Sequence, residues 1–407
     1  MVSFSKQPGV RRKVRRQRQA ARDPPEHRTE SSRCRTFAVT STAPVTVAWH
    51  HEPSGALNGG TGRGTHVCDC TGRPFTRSAH VSAMSARHIS RRKHMSDLRS
   101  SPLVLRPGTA APAVPGRILI LGSGYLAGHI AARLTRLGAE TVLSSRRAPV
   151  LPESRGVRWK QVDVTSGPQV AALMDAVEPD AVVAVHGPSD ITWCESHPEE
   201  AYATHHGGAR NIAAALDGRP VLLVSTDNVF SGEDESYGES AQTFPVNAYG
   251  RAKLAAEREL LDTSSALVLR VSLVYGWEDR GPRPNFLTSV VRSLMRKEQL
   301  RIPDDHWNTP VHVEDVAAWA TTLMSSGRTG TLHLGGPRRI GRVDWARHIA
   351  EQLGVDPMLI VPTPRIGTAY ACRPRNACLH SEVAAQLPEL QHHCPADVLE
   401  TTHALIS

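Results

Sequence analysis

Arg117-Ile118-Leu119-Ile120-Leu121-Gly122-Ser123-Gly124-Tyr125-Leu126-Ala127-Gly128 is the stretch that decides the fold of this chain. Ile118–Leu121 is a short unbroken apolar run, which is how a strand buried on both faces of a parallel sheet reads. Glycines end it, and a helical pattern follows from Leu126 to Leu137, closed by Gly138. A glycine turn between strand and helix lets backbone amides approach a pyrophosphate while the helix N-terminus faces its charge. The spacing here is G-x-G-x-x-x-G over Gly122, Gly124 and Gly128, with Tyr125 and Leu126 opening the helix between them. The placement, more than the glycines themselves, makes this the expected dinucleotide-binding turn.

Working outward, apolar runs and helical patterns alternate. Strands are expected at Thr141–Leu143, Val157–Val164, Ala181–Val185, Val221–Ser225 and Ala266–Val271. Helices are expected at Gln169–Val177, Glu199–Leu216 and Tyr249–Leu261. Such alternation implies right-handed crossovers and an α/β fold of the Rossmann type, a doubly wound parallel sheet. The organisation expected is a basic, disordered arm over residues 1–115, an NADP-binding domain over 116–280 and a smaller, mainly substrate-binding part over 281–407 that returns in places to the Rossmann core.

The second strand ends in Ser144-Ser145-Arg146-Arg147. An acidic residue there would hold an adenosine ribose 2′-hydroxyl, whereas Ser145 and Arg146 suit a 2′-phosphate. NADP(H) is therefore expected in preference to NAD(H). Asp163 follows the third strand, where it could accept from an adenine amino group. Val164, Val185 and His186 complete the expected cofactor edge.

Tyr249-Gly250-Arg251-Ala252-Lys253 places a phenol and an ammonium four residues apart, on one face of a helix. The charge of Lys253 should lower the Tyr249 pKa toward working pH, as a general acid requires. Lys253 could also hold the nicotinamide ribose. Thr226, a little over twenty residues upstream at the end of the fifth strand, could hydrogen-bond the same carbonyl oxygen. Thr226, Tyr249 and Lys253 are the expected catalytic residues.

The 407 residues carry a formal charge of +9, unevenly spread. Met1–Gly116 holds 20 Lys and Arg against 6 Asp and Glu, and the rest holds 28 against 33. The folded part is thus mildly acidic, and nucleic acid is not an expected partner. The upstream cluster Arg11–Arg16 reads as a solvated arm, poor in the large apolar residues needed to offset chain entropy. An over-extended reading frame, with the natural start near Met84 or Met95, is an alternative; a faint likeness to an organelle transit peptide is another. Cys68-Asp69-Cys70 lacks a second pair at finger spacing, so no metal is expected. Seven scattered cysteines suit a reducing cytoplasm. No run of about 18 apolar residues is present, so no membrane association is expected.

With these residues in view, the chain resembles the extended short-chain dehydrogenase/reductase family, in its dTDP-4-dehydrorhamnose reductase-like branch. Ser225-Thr226-Asp227-Asn228-Val229-Phe230-Ser231-Gly232 resembles the branch's S-T-D-Y-V-F-D-G. Phe244-Pro245-Val246-Asn247-Ala248-Tyr249-Gly250-Arg251-Ala252-Lys253-Leu254-Ala255-Ala256-Glu257 is similar to its N-P-L-N-x-Y-G-x-S-K-L-x-G-E. Leu269–Gly276, Asn285-Phe286, Asp304–Pro310 and Arg373–Asn376 resemble later family segments in the same order. The resemblance implies hydride transfer from NADPH to C4 of a nucleoside-diphospho-4-keto-6-deoxy sugar. It implies substrate contacts at Asn285, Trp307 and Arg373, with the planar fork of an arginine suited to diphosphate; Trp307 reads equally well as core packing. A homodimer is a further possibility.

The chain departs from that pattern at several positions. A family glycine falls at Tyr125, and the N-A-A-A after the fourth strand reads Ala184-Val185-His186-Gly187. The asparagine of the next helix, which in the family helps organise a proton relay, corresponds to His205 beside His206. A histidine there could relay protons or simply pack. Two alternatives stay open: a nucleotide-sugar epimerase or dehydratase, and a non-catalytic NADP-binding regulatory subunit.

Overall fold

The computed structural model describes residues 116–148, 156–278 and 284–406. The expected arm over residues 1–115, with the Arg11–Arg16 cluster and Cys68–Cys70, lies outside the described residues.

The centre of the molecule is a seven-stranded parallel sheet. Its first six strands are β1 (Arg117–Leu121), β2 (Glu140–Ser145), β3 (Val157–Gln161), β4 (Ala181–Ala184), β5 (Val221–Thr226) and β6 (Ala266–Val271). A seventh, β7 (Gly330–Leu334), returns from the C-terminal part, and the order across the sheet is β7-β6-β5-β4-β1-β2-β3. Every pairing is parallel. The order reverses at β1, which pairs β2 on one side and β4 on the other, and crevices at such switch points are where α/β sheets bind ligands.

The central strands are fully buried, as their unbroken apolar runs require: Ile118, Leu119, Ile120 and Leu121 are all at 0 % exposure. Alternate residues feed two apolar layers. Ile118 and Ile120 pack with α1 (Tyr125–Arg136), whereas Leu119 and Leu121 pack with α2 (Gly167–Val177) on the other face. Each such fully buried side chain contributes roughly 1.5–3 kcal/mol. The remaining helices are α3 (Ile191–Ser196), α4 (Pro198–Tyr202), α5 (Gly208–Ala215), α6 (Ala248–Leu261), α7 (Phe286–Met295), α8 (Val313–Met324), α9 (Arg342–Gln352) and α10 (Val398–Ile406). A third apolar cluster under the C-terminal part joins α7, α9 and α10 around Trp345 and Tyr275. Among the described residues no helix is long and apolar enough to cross a membrane.

Two expected elements differ. The third strand stops at Gln161 rather than Val164, because Asp163 leaves the ladder and folds its carboxylate onto Thr165. The helix expected over Glu199–Leu216 is interrupted: Ala203–Gly207 forms a π-helical turn between α4 and α5. The wider turn accommodates one extra residue and carries His205 inward. Gly207-Gly208, poor in helix preference, offers little resistance to that distortion.

Candidate functional site

A cleft of about 1490 Å³ opens along the carboxyl edge of the sheet. One wall is the β1–α1 turn, the floor comes from the ends of β4, β5 and β6, and the C-terminal part supplies the far wall.

At the near end, Gly122 adopts a φ of +133°, and a Cβ on it would come within 2.8 Å of the Val185 carbonyl oxygen. Gly124 caps α1 with no side chain, and nothing acidic lies in the first helical turn, so the N-terminal amides face the cleft uncontested. Tyr125, Leu126, Gly128, Val164, Val185 and His186 also line the cleft. Ser123 Oγ donates to Ser145 Oγ at 2.7 Å, and Arg146 stands beside them on the cleft wall. This pair of hydroxyls with an adjoining guanidinium is a donor set that fits a phosphate monoester. Asp163 is the exception: it is not part of the lining, and Thr165 holds its carboxyl below the usual range.

Thr226, Tyr249 and Lys253 meet at the centre. Asn247 caps α6, accepting from Gly250 N at 2.7 Å and donating to Asn228 Oδ1 at 3.0 Å, which fixes where Tyr249 emerges. Tyr249 and Thr226 share a hydrogen bond. Thr226 Oγ1 donates to Asp227 Oδ1 at 3.1 Å and accepts from the Asn228 amide nitrogen at 3.2 Å. Asp227 is buried, which pushes its carboxyl up to about 6 against the opposing hydrogen bonds of Ser272, Thr226 and Asn228.

The expected depression of the Tyr249 pKa is not what the structure gives. Burial raises it, and nearby Asp227 and Cys194 raise it further. The Lys253 ammonium donates to the Val224 carbonyl at 2.7 Å, and burial pushes its own pKa down to about 8. The desolvation that a closed site imposes on a phenolate outweighs the charge four residues along the helix. Tyr249 is thereby kept as a neutral phenol with a proton to give.

Behind Lys253 lies a buried ion pair. Arg270 Nη2 approaches Glu257 Oε2 at 2.7 Å, with Ser225 Oγ also donating to Glu257. Two histidines flank the centre on the other side. His186 Nε2 lies 3.2 Å from the His205 carbonyl oxygen, and His205 Nε2 lies 3.0 Å from that of Pro188. The His205 ring stands edge-on to Tyr249 with centroids 5.4 Å apart. Burial holds both imidazoles well below the usual histidine range, so both are neutral.

On the far wall, Asn285 caps α7 through Thr288 N and donates to the Gly276 carbonyl at 2.7 Å, which leaves it lining the cleft with its side chain committed. Arg373 lines the cleft too, bonded to Thr192 and Ala369 and stacked on Tyr370. Trp307 does not line it; Arg339 and Arg375 cover its ring at 4.9 and 5.3 Å. His306, Asn308, Arg342 and Tyr370 do line it, and none was anticipated. His306 and Asn308 fall inside the Asp304–Pro310 run, where Trp307 drew the attention. Arg342 carried no local signal.

Comparison with known proteins gives consistent results. The family model described as the RmlD substrate binding domain matches residues 116–396. A probable low-salt glycan biosynthesis reductase of Haloferax volcanii is 31 % identical over 266 residues, 64 % of this chain and 88 % of that protein. A dTDP-4-keto-6-deoxy-D-glucose reductase of Streptomyces niveus is 32 % identical over 208 residues, 50 % of this chain and 71 % of that one. Among solved structures, dTDP-4-dehydrorhamnose reductase from Bacillus anthracis in complex with NADP superposes with a TM-score of 0.59 at 21 % identity, covering 72 % of this chain and 98 % of that one.

Proposed function

The chain belongs to the RmlD substrate binding domain family, and from that premise we propose that it is an NADPH-dependent reductase of a nucleoside-diphospho-4-keto-6-deoxy sugar. The observation that carries this reading is the meeting of Thr226, Tyr249 and Lys253 in the same cleft as the β1–α1 glycine turn. The division of labour we propose places the cofactor in residues 116–280 and the substrate mainly against 281–407.

When bound, the dihydronicotinamide supplies the hydride. The residues of this chain do the rest. Gly122, Gly124 and the N-terminus of α1 receive the pyrophosphate, and Ser145 with Arg146 receives the 2′-phosphate. The Tyr249 phenol, held neutral by burial, gives its proton to the carbonyl oxygen as negative charge develops there. Thr226 is aligned by Asp227 and Asn228 to hydrogen-bond the same oxygen. Lys253 lies under the tyrosine, where it stabilises the phenolate that remains and can hold the nicotinamide ribose.

The test is stoichiometry. Purified protein given dTDP-4-keto-6-deoxyhexose should consume one NADPH for each keto sugar lost. An epimerase or dehydratase returns its cofactor and consumes none on balance, and a regulatory subunit binds NADPH without turning it over.

A further inference from the structure

The far wall of the cleft holds a cation that nothing else in the fold explains. Arg342 is the first residue of α9 and only 6 % exposed, yet it lines the cleft. Its guanidinium lies over the Phe286 ring at 4.6 Å, and its Nε donates to Asn308 Oδ1 at 2.8 Å. Asn308 is itself fixed, donating to the Ala377 carbonyl at 3.3 Å. The plane of the guanidinium is therefore set from two sides. Its terminal nitrogens have no hydrogen-bond partner, and it forms no ion pair, among the described residues. A buried cation without a counter-ion is costly, and folds retain one where an anion is to be bound.

The surroundings reinforce this. Arg342, Arg373 and Arg365 all bear on the buried His306, holding its imidazole neutral. Asp227 lies within electrostatic range of Arg342 on the side toward Thr226. Along the sheet edge the order is β1 with its glycine turn, then β4, then β5 with Thr226, then β6 and the far wall. A substrate whose keto carbon lies at Thr226 and Tyr249 must extend its remaining, anionic part toward that wall.

We propose that Arg342, held in plane by Asn308 and Phe286, is the residue that binds the diphosphate of the sugar nucleotide, with Arg373 as the more exposed second cation. This rests on the keto-sugar-nucleotide reading above. Arg342 is then a determinant of substrate affinity: it distinguishes a nucleoside diphosphate from a monophosphate or a free sugar and takes no part in proton or hydride transfer.

The experiment is calorimetric titration of the full-length protein with dTDP, dTMP and NADPH, for wild type, Arg342→Gln and Arg342→Lys, beside steady-state kinetics. Losing charge-assisted bonds should weaken dTDP binding and raise KM by about 10- to 100-fold in Arg342→Gln. The kcat should change by less than about threefold, Arg342→Lys should recover part of the affinity, and NADPH affinity should be unchanged. Wild-type protein should bind dTDP at least tenfold more tightly than dTMP. Unchanged dTDP affinity in a glutamine variant that still binds NADPH overturns the proposal, as does a loss confined to kcat. If both variants fail to fold, wild-type inhibition decides: dTDP competing with NADPH rather than with the sugar nucleotide also overturns it. Wild-type protein that binds dTDP but never oxidises NADPH sinks the reductase reading and leaves the anion site standing. Tighter binding of a glucuronate-type carboxylate than of dTDP identifies a carboxylate subsite and refutes the diphosphate assignment.

Discussion

The imidazole of His205 occupies the space in which residue 187 would carry a side chain: an ideal Cβ on Gly187 lies 2.3 Å from His205 Cε1. Gly187 also has a φ of +95°, where L side chains are strained. The histidine and the glycine therefore depend on each other, although the one sits on a π-helical turn and the other in the loop after β4. The ring that fills this space stands edge-on to Tyr249, so the pairing sets one boundary of the reacting centre.

Gly187→Ala should cost about 1–3 kcal/mol of stability, from backbone strain and overpacking together. Chemical denaturation measures this. Combining it with His205→Ala should relieve the collision but not the strain, so the double variant should be more stable than the two single losses add up to. Strict additivity would mean that the two residues do not meet.

Two buried groups should shape stability against pH in opposite senses. Asp227 has a folded pKa of about 6, above its ordinary 3.8, so the folded state binds more protons between those values. Stability should fall as pH rises through that window and then level off. Lys253 has a folded pKa of about 8, below its ordinary 10.5, so the unfolded state binds more protons there. Stability should rise as pH climbs from about 8 toward 10.5. Denaturation midpoints across pH for wild type, Asp227→Asn and Lys253→Met check both limbs; each should vanish in its own variant.

Arg270 and Glu257 are 3 % and 1 % exposed and pair at 2.7 Å. Glu257→Leu leaves a buried cation uncompensated and should cost about 3–5 kcal/mol. It also removes the one charge that opposes the burial of Lys253, so the Lys253 pKa should drop further. A stability loss under 1 kcal/mol would show that the pair matters less than its burial implies.

Arg146→Ala should weaken NADPH binding about 10-fold or more while leaving NADH nearly unaffected, since only the former carries the phosphate that a guanidinium grips. Fluorescence titration with both nucleotides checks this. Equal losses for the two would place the arginine against a part they share.

The dinucleotide turn and the Thr226–Tyr249–Lys253 set were legible because their signals are local. An apolar run ending in glycine, and two residues four apart on a helix, need no knowledge of distant packing. The neutral state of Tyr249 was not legible, since it depends on how deeply α6 sinks against β5. Trp307 was misplaced because its aromatic character says nothing about which side faces the cleft; Arg339 and Arg375 enclose it instead. Arg342 went unseen for the same reason: it reads as an ordinary helix-start arginine until Asn308, 34 residues earlier, is found bonded to it. The π-helical turn at Ala203–Gly207 likewise depends on contacts from His186 and Gly187 that sequence spacing does not show.

The most direct test of the central claim is a single-turnover comparison of wild type and Tyr249→Phe with NADPH and dTDP-4-keto-6-deoxyhexose. Removing the phenolic proton donor while keeping the ring should lower the rate by about 100- to 10,000-fold, with NADPH affinity within about threefold of wild type. Undiminished NADPH oxidation in the phenylalanine variant would contradict the account, because the proton would then come from elsewhere.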